Sequence, residues 1–189
     1  MNALDVLRQD HQRILGMLTD LEEGRSVLSG ATEAELEARR DLVTRLVIAE
    51  SIHEAVEEQH FWPVVRDVLS DFPDLASRGL QQETVAKVAL HEVDTVGPRH
   101  PEFEAMLARF VEGAREHISY EEVEVWPALV SVVGPAELEA MGDRLTDARR
   151  TAPTRPHPHV PTGTMSLRTV GAGWAMLDRL RDKATGRTG

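Results

Sequence analysis

Residues 32–63 read TEAELEARRDLVTRLVIAESIHEAVEEQHFWP, and their apolar positions recur at the three-to-four-residue spacing of a helix, not the alternation of a strand. Thr32, with Glu35 three residues on, forms a capping box at the start. Leu36, Leu42, Leu46, Ala49, His53, Val56 and Glu57 then fall on one half of the cylinder, so the inner stripe carries an imidazole and a carboxylate. Pro63 has no amide hydrogen and should kink or end the helix after Trp62. The end of this stretch occurs twice: HEAVEEQHFWP at 53–63 is matched by HISYEEVEVWP at 117–127, every shared residue displaced by 64. Positions i and i+4 lie on one helix face, so each H-x-x-x-E sets an imidazole and a carboxylate side by side, one turn apart.

The neighbouring segments have the same texture. A first helix starts after Asn2, an N-cap, and its stripe runs Leu4, Leu7, His11, Ile14, Leu18, Leu21 before Gly24. A third follows the Asp71–Asp74 connection and extends to Val96, with Leu80, Thr84, Val88, His91 and Thr95 read as its inner face and Gly97-Pro98 as its stop. The fourth covers Pro101 to Val133 and carries Phe103, Met106, Phe110, His117 and Glu121. A shorter fifth opens at Pro135 and packs through Leu138, Met141 and Leu145. Four helices of roughly 20 residues, each about 30 Å long and joined by short connections, predict an all-α chain built as an antiparallel up-down four-helix bundle. Residues 1–150 form this unit with its extra helix, and 151–189 an appendage. In the appendage, four prolines in the stretch from Thr151 to Pro161 make an extended strap, and residues 166–189 carry five basic against two acidic side chains. A short amphipathic helix with Trp174, Leu177 and Leu180 is expected there as a docking element for the bundle, a membrane surface or a protein partner.

Composition excludes several roles. With 32 acidic against 21 basic side chains the net charge is −11, and the pI of about 5.2 argues against nucleic acid as a partner. No cysteine is present, which removes disulfides, thiolate zinc and iron–sulfur clusters and suits a reducing compartment. The first residues lack the basic-then-apolar pattern of a signal peptide, and no run of about 18 apolar residues occurs, so a cytoplasmic protein without a transmembrane segment is expected.

The inward groups carry the chemistry. His11, His53, His91 and His117 with Glu57 and Glu121 would bring four imidazoles and two carboxylates into one core. Bare carboxylates there would cost several kcal/mol each, on the order of the desolvation of an ion, and no Lys or Arg shares their stripes. Metal supplies the missing positive charge. A mixed nitrogen and oxygen set too large for one tetrahedral ion suits two bridged ions, iron first, then manganese or zinc, with open positions for dioxygen, peroxide or nitric oxide. The motif runs H-x-x-x-E, unlike the E-x-x-H of ferritin-like bundles, and neither His53-Glu54 nor His91-Glu92 completes the H-E-x-x-H of a zincin.

These residues resemble the hemerythrin family, in particular its bacterial and mycobacterial hemerythrin-like members with the HHE cation-binding domain. The likeness covers about residues 3–133 through DHQRI at 10–14, the two repeats, and Leu90-His91. It implies a non-heme di-iron centre on His11, His53, Glu57, His91, His117 and Glu121, with Glu57 and Glu121 bridging two iron ions beside an oxo or hydroxo group. Oxygen-carrying members place a further imidazole where this chain has Thr95. That departure favours redox, peroxide or nitric oxide chemistry over reversible oxygen carriage. Glu54, Asp94 and Tyr120 are candidates for the gap, and His60 for a supporting place beside Glu57. His100 sits in a turn, and His157 and His159 could cover the bundle mouth or take adventitious metal. The expected function is binding of, or reaction with, a small ligand at the carboxylate-bridged centre, with peroxide or nitric oxide turnover as the enzymatic form. The alternative is a non-catalytic iron- or oxygen-sensing module that signals to a partner through the tail.

Overall fold

The computed structural model describes residues 1–156, 176–178 and 182. Its first helix, α1 (Ala3–Glu23), is capped by the Asn2 side chain, which accepts from the Asp5 amide at 3.0 Å. α2 (Glu33–Val56) starts at the expected Thr32–Glu35 capping box. It is followed by a π-helical turn, Glu57–Phe61, and then by α3 (Trp62–Val68). α4 (Pro73–Val96) ends at Gly97, whose φ of 74° is the left-handed conformation glycine adopts without strain. α5 (Phe103–Tyr120), a second π turn at Glu121–Val125 and α6 (Trp126–Val132) repeat the α2–α3 arrangement, and α7 (Pro135–Arg149) closes the series. Every element among the described residues is helical, and the long helices form the antiparallel bundle.

The two prolines do not end their helices. In each repeat the tryptophan amide donates to the glutamate carbonyl five residues back, Trp62 to Glu57 and Trp126 to Glu121. This wider turn absorbs one extra residue. Absorbing it rotates all that follows by about 100°, so a tryptophan five residues after the glutamate returns to the inner face. Trp62 and Trp126 are both buried as a result.

The bundle core is divided. One apolar cluster gathers Leu7, Val56, Phe61, Trp62, Trp126, Leu129 and the α7 residues Leu138, Met141 and Leu145. The other gathers Ile14, Leu18, Leu46, Leu90, Phe103 and Phe110. Between Leu7 and Ile14 on α1 lies His11, and between Leu46 and Val56 on α2 lies His53, so a polar layer separates two dry ones. α7 rests on the start of α1 at Gly142, where an added Cβ would come 2.2 Å from the Met1 carbonyl oxygen.

α4 departs from its sequence reading. Its buried residues are Ala76, Gly79, Glu83, Leu90 and Val93, whereas Thr84, Val88, His91 and Thr95 are exposed. The inner face is turned by about one residue, close to 100°, from the expected stripe, and Leu80 ends half-buried at its margin. Of the appendage, Thr151 to Pro156 are described, with Ala152 buried in the core. Asp182 accepts from Thr154 Oγ1 at 2.6 Å and pairs with Arg155 at 2.8 Å, and Arg155 also lies 4.0 Å from Asp94. Met176 to Asp178 and Asp182 are helical. His157, His159, Trp174 and Leu180 lie outside the described residues.

Candidate metal centre

Three imidazoles and three carboxylates meet in the polar layer. α1 supplies His11, α2 supplies His53 and Glu57, α4 supplies Glu83, and α5 with its π turn supplies His117 and Glu121. All six are buried, His117 the most accessible at 6%. One donor atom from each of His11, His53, Glu57 and Glu121 falls within 4.8 Å of the others, and a second group joins Glu57, Glu83 and His117 in the same way. Glu57 belongs to both. His53 Nε2 is 3.3 Å from Glu57 Oε2, His11 Nε2 is 3.2 Å from Glu121 Oε2, and His117 Nε2 stands 3.6 Å from Glu121 Oε1 and 4.0 Å from Glu57 Oε2.

The ring nitrogens facing away from this cluster have partners of their own. His11 Nδ1 is 2.8 Å from Glu122 Oε1, His117 Nδ1 is 3.3 Å from Gln82 Oε1, and His53 Nδ1 faces Asp10 Oδ2 at 3.6 Å. The two hydrogen-bonded contacts, at His11 and His117, favour a proton on Nδ1 and so aim Nε2 at the cluster, and at His53 the Asp10 carboxylate faces Nδ1 from just beyond hydrogen-bond length. The inward atoms lack hydrogen-bond partners: His11, His53 and His117 Nε2, both oxygens of Glu57 and of Glu121, and Glu83 Oε2. Orphaned buried acceptors are costly, about 1–3 kcal/mol apiece even when uncharged. A buried set of imidazole nitrogens and carboxylate oxygens gathered on one another without hydrogen-bond partners is what a cation would satisfy, so the residues fit a bound metal.

Charge tells the same story. Burial, then the neighbouring Glu121 and Glu83, pushes the Glu57 carboxyl well above the usual range. Burial and the nearby Glu58 do the same to Glu83, against the opposing Lys87 ammonium. Burial lowers the imidazole of His53, and it lowers that of His117 to about 4. Burial would raise Glu121 too, but His11 and His117 beside it hold it low. Burial would lower His11 as well, but Glu121 and Glu122 beside it raise its imidazole. Without a cation, Glu57 and Glu83 are therefore driven toward the protonated form and His53 and His117 toward the neutral one, while His11 and Glu121 favour their charged forms side by side. Two tryptophans border it: Trp126 stacks on His11 with centroids 5.2 Å apart, and the Trp62 indole N–H donates to Glu83 Oε1.

Several sequence expectations are corrected here. His91 is exposed on α4 and takes no part in either cluster; Glu83, two turns earlier, occupies the inward place. Tyr120 donates its hydroxyl to the Leu75 carbonyl at 2.8 Å with Arg78 over its ring, so it points along α4, away from the layer. Asp94 lies near the far end of α4 beside Arg155. Glu54 is buried, but burial and its neighbours Lys87, Glu50 and Glu58 set its environment, outside the two donor clusters. Its neighbour Glu58 is also buried and is paired with Lys87. His60 is half-buried, outside both clusters. Glu83 escaped sequence reasoning because apolar residues are spread around α4 and a histidine attracted the stripe. The usable signal was the small pair Ala76 and Gly79 in phase with Glu83, Leu90 and Val93.

Fold and site together define a helical-bundle cation-binding protein with a buried His/Glu cluster. Residues 2–129 match the profile of the hemerythrin HHE cation-binding domain, and the chain belongs to that family. No curated protein matches it. Among solved structures, a hemerythrin HHE cation-binding-domain protein of Mycobacterium kansasii aligns with a TM-score of 0.66 at 22% identity, over 94% of this chain and 99% of that one. At that identity the likeness speaks for the fold alone.

Proposed function

We propose that this chain is a cytoplasmic non-heme di-iron protein that binds or reacts with dioxygen, peroxide or nitric oxide. The reading rests on one observation, the convergence of three unpartnered imidazole nitrogens and three buried carboxylates between two apolar layers. His11, His53, Glu57 and Glu121 would hold one ion in a nitrogen-rich position. Glu57, Glu83 and His117 would hold the other in an oxygen-rich one, with Glu57 shared and Glu121 within reach of both. The mixed donors suit iron, and the oxygen-rich position makes manganese a closer rival than zinc. Bound ions would supply Lewis-acid and redox character towards the small ligand. The protein's part is to exclude water with Trp62, Trp126 and the flanking apolar layers, and to hold each imidazole by its Nδ1 contact.

The deciding measurement is metal content with the visible spectrum of freshly purified protein. About two iron ions per chain and ferric bands are expected; a chain that takes up neither iron nor manganese overturns the proposal. The sensing alternative is favoured by the tie between the appendage and the bundle, Arg155 with Asp94 on α4, and by the pairing of Arg155 with Asp182 within the appendage. Turnover of hydrogen peroxide or nitric oxide above the rate of free iron selects the enzyme, and its absence selects the sensor.

A further inference from the structure

α7 lies beyond the stretch that matches the family profile, yet its last turn reaches towards the metal centre. Arg149 donates from Nη2 to the Val6 carbonyl at 2.9 Å and pairs through the same nitrogen with Asp10 Oδ2. That Asp10 oxygen is the one facing His53 Nδ1 at 3.6 Å, and across the ring His53 Nε2 meets Glu57. Guanidinium, carboxylate, imidazole and the Glu57 carboxylate therefore follow one another from α7 to the centre. At 3.6 Å the Asp10–His53 pair is just beyond hydrogen-bond length, and His53 Nδ1 has no other hydrogen-bond partner. The orientation of the imidazole thus depends on where the Asp10 carboxylate is held. Arg149 is not what keeps α7 in place. Leu138, Met141 and Leu145 are buried in the core, and Gly142 lies directly against the chain start.

On the opposite side of the centre the imidazole has a neutral outward partner. His117 Nδ1 faces the Gln82 side-chain oxygen, a neutral amide that needs no counter-charge to stay in position. Asp10 is 22% exposed and Arg149 24%, so their attraction is partly shielded from water. We propose that Arg149 is a positioning residue for the nitrogen-rich metal position: it fixes Asp10 against His53 and so makes α7, outside the matched domain, a determinant of how firmly that ion is kept. The inference rests on the metal reading given above.

The test uses the full-length chain loaded anaerobically with ferrous iron, and follows release of iron to a ferrous-selective chelator together with the spectrum of the air-oxidised protein. Arg149→Gln leaves a donor for the Val6 carbonyl and removes the charge at Asp10. Release of one of the two ions is expected to quicken about tenfold or more, with the spectrum altered and the helical content of the metal-free chain unchanged. In an Asp10→Asn background Arg149→Gln should add nothing, because the pathway through Asp10 is already cut. Unchanged release overturns the proposal, as does an effect that persists at full size in the Asp10→Asn background. If the glutamine variant does not fold, Arg149→Lys replaces it: release a few-fold faster than wild type supports the inference, and the wild-type rate overturns it. A wild-type chain that binds no iron sinks the metal reading itself, a result distinct from a loaded wild type whose variants release at the same rate.

Discussion

The segment from α1 to α3 and the segment from α4 to α6 present matching groups at the claw and different groups opposite it. His53, Glu57, the π turn and Trp62 in the first correspond to His117, Glu121, the π turn and Trp126 in the second. Asp10 and His11 on α1 correspond, 72 residues on, to Gln82 and Glu83 on α4. Each pair does the same work for its half: the first residue faces the imidazole Nδ1, at 3.6 Å from Asp10 and 3.3 Å from Gln82, and the second enters the cluster. The tryptophans cross over, Trp126 stacking on His11 and Trp62 donating to Glu83. A repeated helix–π turn–helix scaffold thus surrounds an asymmetric donor set, one side richer in nitrogen and the other in oxygen. Two ions held this way would not be equivalent, which is a chemical difference a symmetric repeat could not supply.

The largest test of this comparison removes a residue common to both sides. Glu57→Ala or Glu121→Ala should abolish uptake of both ions, read as metal per chain by elemental analysis, and full occupancy in both variants would break the assignment. Next in size, His11→Ala and Glu83→Ala should each leave about one ion per chain, with different spectra because different positions are emptied. Identical spectra would mean that the halves are chemically alike after all. Glu83→His, which makes α4 resemble α1, should restore two ions with a spectrum unlike the wild type.

Smaller effects come from the supporting groups. Gln82→Ala removes the acceptor facing His117 Nδ1 and should weaken retention of the oxygen-rich ion by about tenfold, the low end of what such outer contacts contribute. Equilibrium dialysis against competing chelator measures it, and an effect on the other ion instead would contradict the division.

The smallest effect concerns Glu50, buried on α2, whose carboxyl burial pushes up to about 7, with His11 opposing and Asp10 adding. A carboxyl raised on folding stabilises the chain fully below its unfolded value near 4.5 and loses that contribution as pH rises through about 7. His117, lowered to about 4, acts in the opposite sense, contributing above 6.5 and losing it as pH falls through 4. Between pH 6.5 and 8.5 the Glu50 effect can therefore be read without that of His117. Urea unfolding of the metal-free chain should show Glu50→Gln losing about 1 kcal/mol less than wild type across that interval. Equal slopes would show that Glu50 is not held dry.

Much of the site was legible because helical repetition is a local rule. His53, Glu57, His117 and Glu121 follow from i and i+4 on helices whose stripes are clear, and His11 from a stripe of leucines with one isoleucine. The caps at Asn2 and Thr32 were equally local. The π turns were not: Pro63 after Trp62 predicts a kink or an end and the fourth helix reads straight through Pro127, whereas in both repeats the chain widens by one residue and buries the tryptophan. Lys87 and Arg149 were also missed as partners of Glu58 and Asp10, since neither shares a helix with the acid it meets.

The order of residues along this chain determined the helices, their caps, the bundle and the pair of imidazole–carboxylate claws, all of which depend on separations of four residues or fewer and on apolar periodicity. Tertiary structure alone decided which face of α4 turned inward, and with it the choice of Glu83 over His91. It also decided that α7 would send Arg149 to Asp10. The physical reason is that α4 has apolar residues on more than one side, so its rotation is set by what the other helices leave to be filled: Gly79 seats against the Trp62 ring, where an added Cβ would come 2.2 Å from it, and Glu83 then faces the layer.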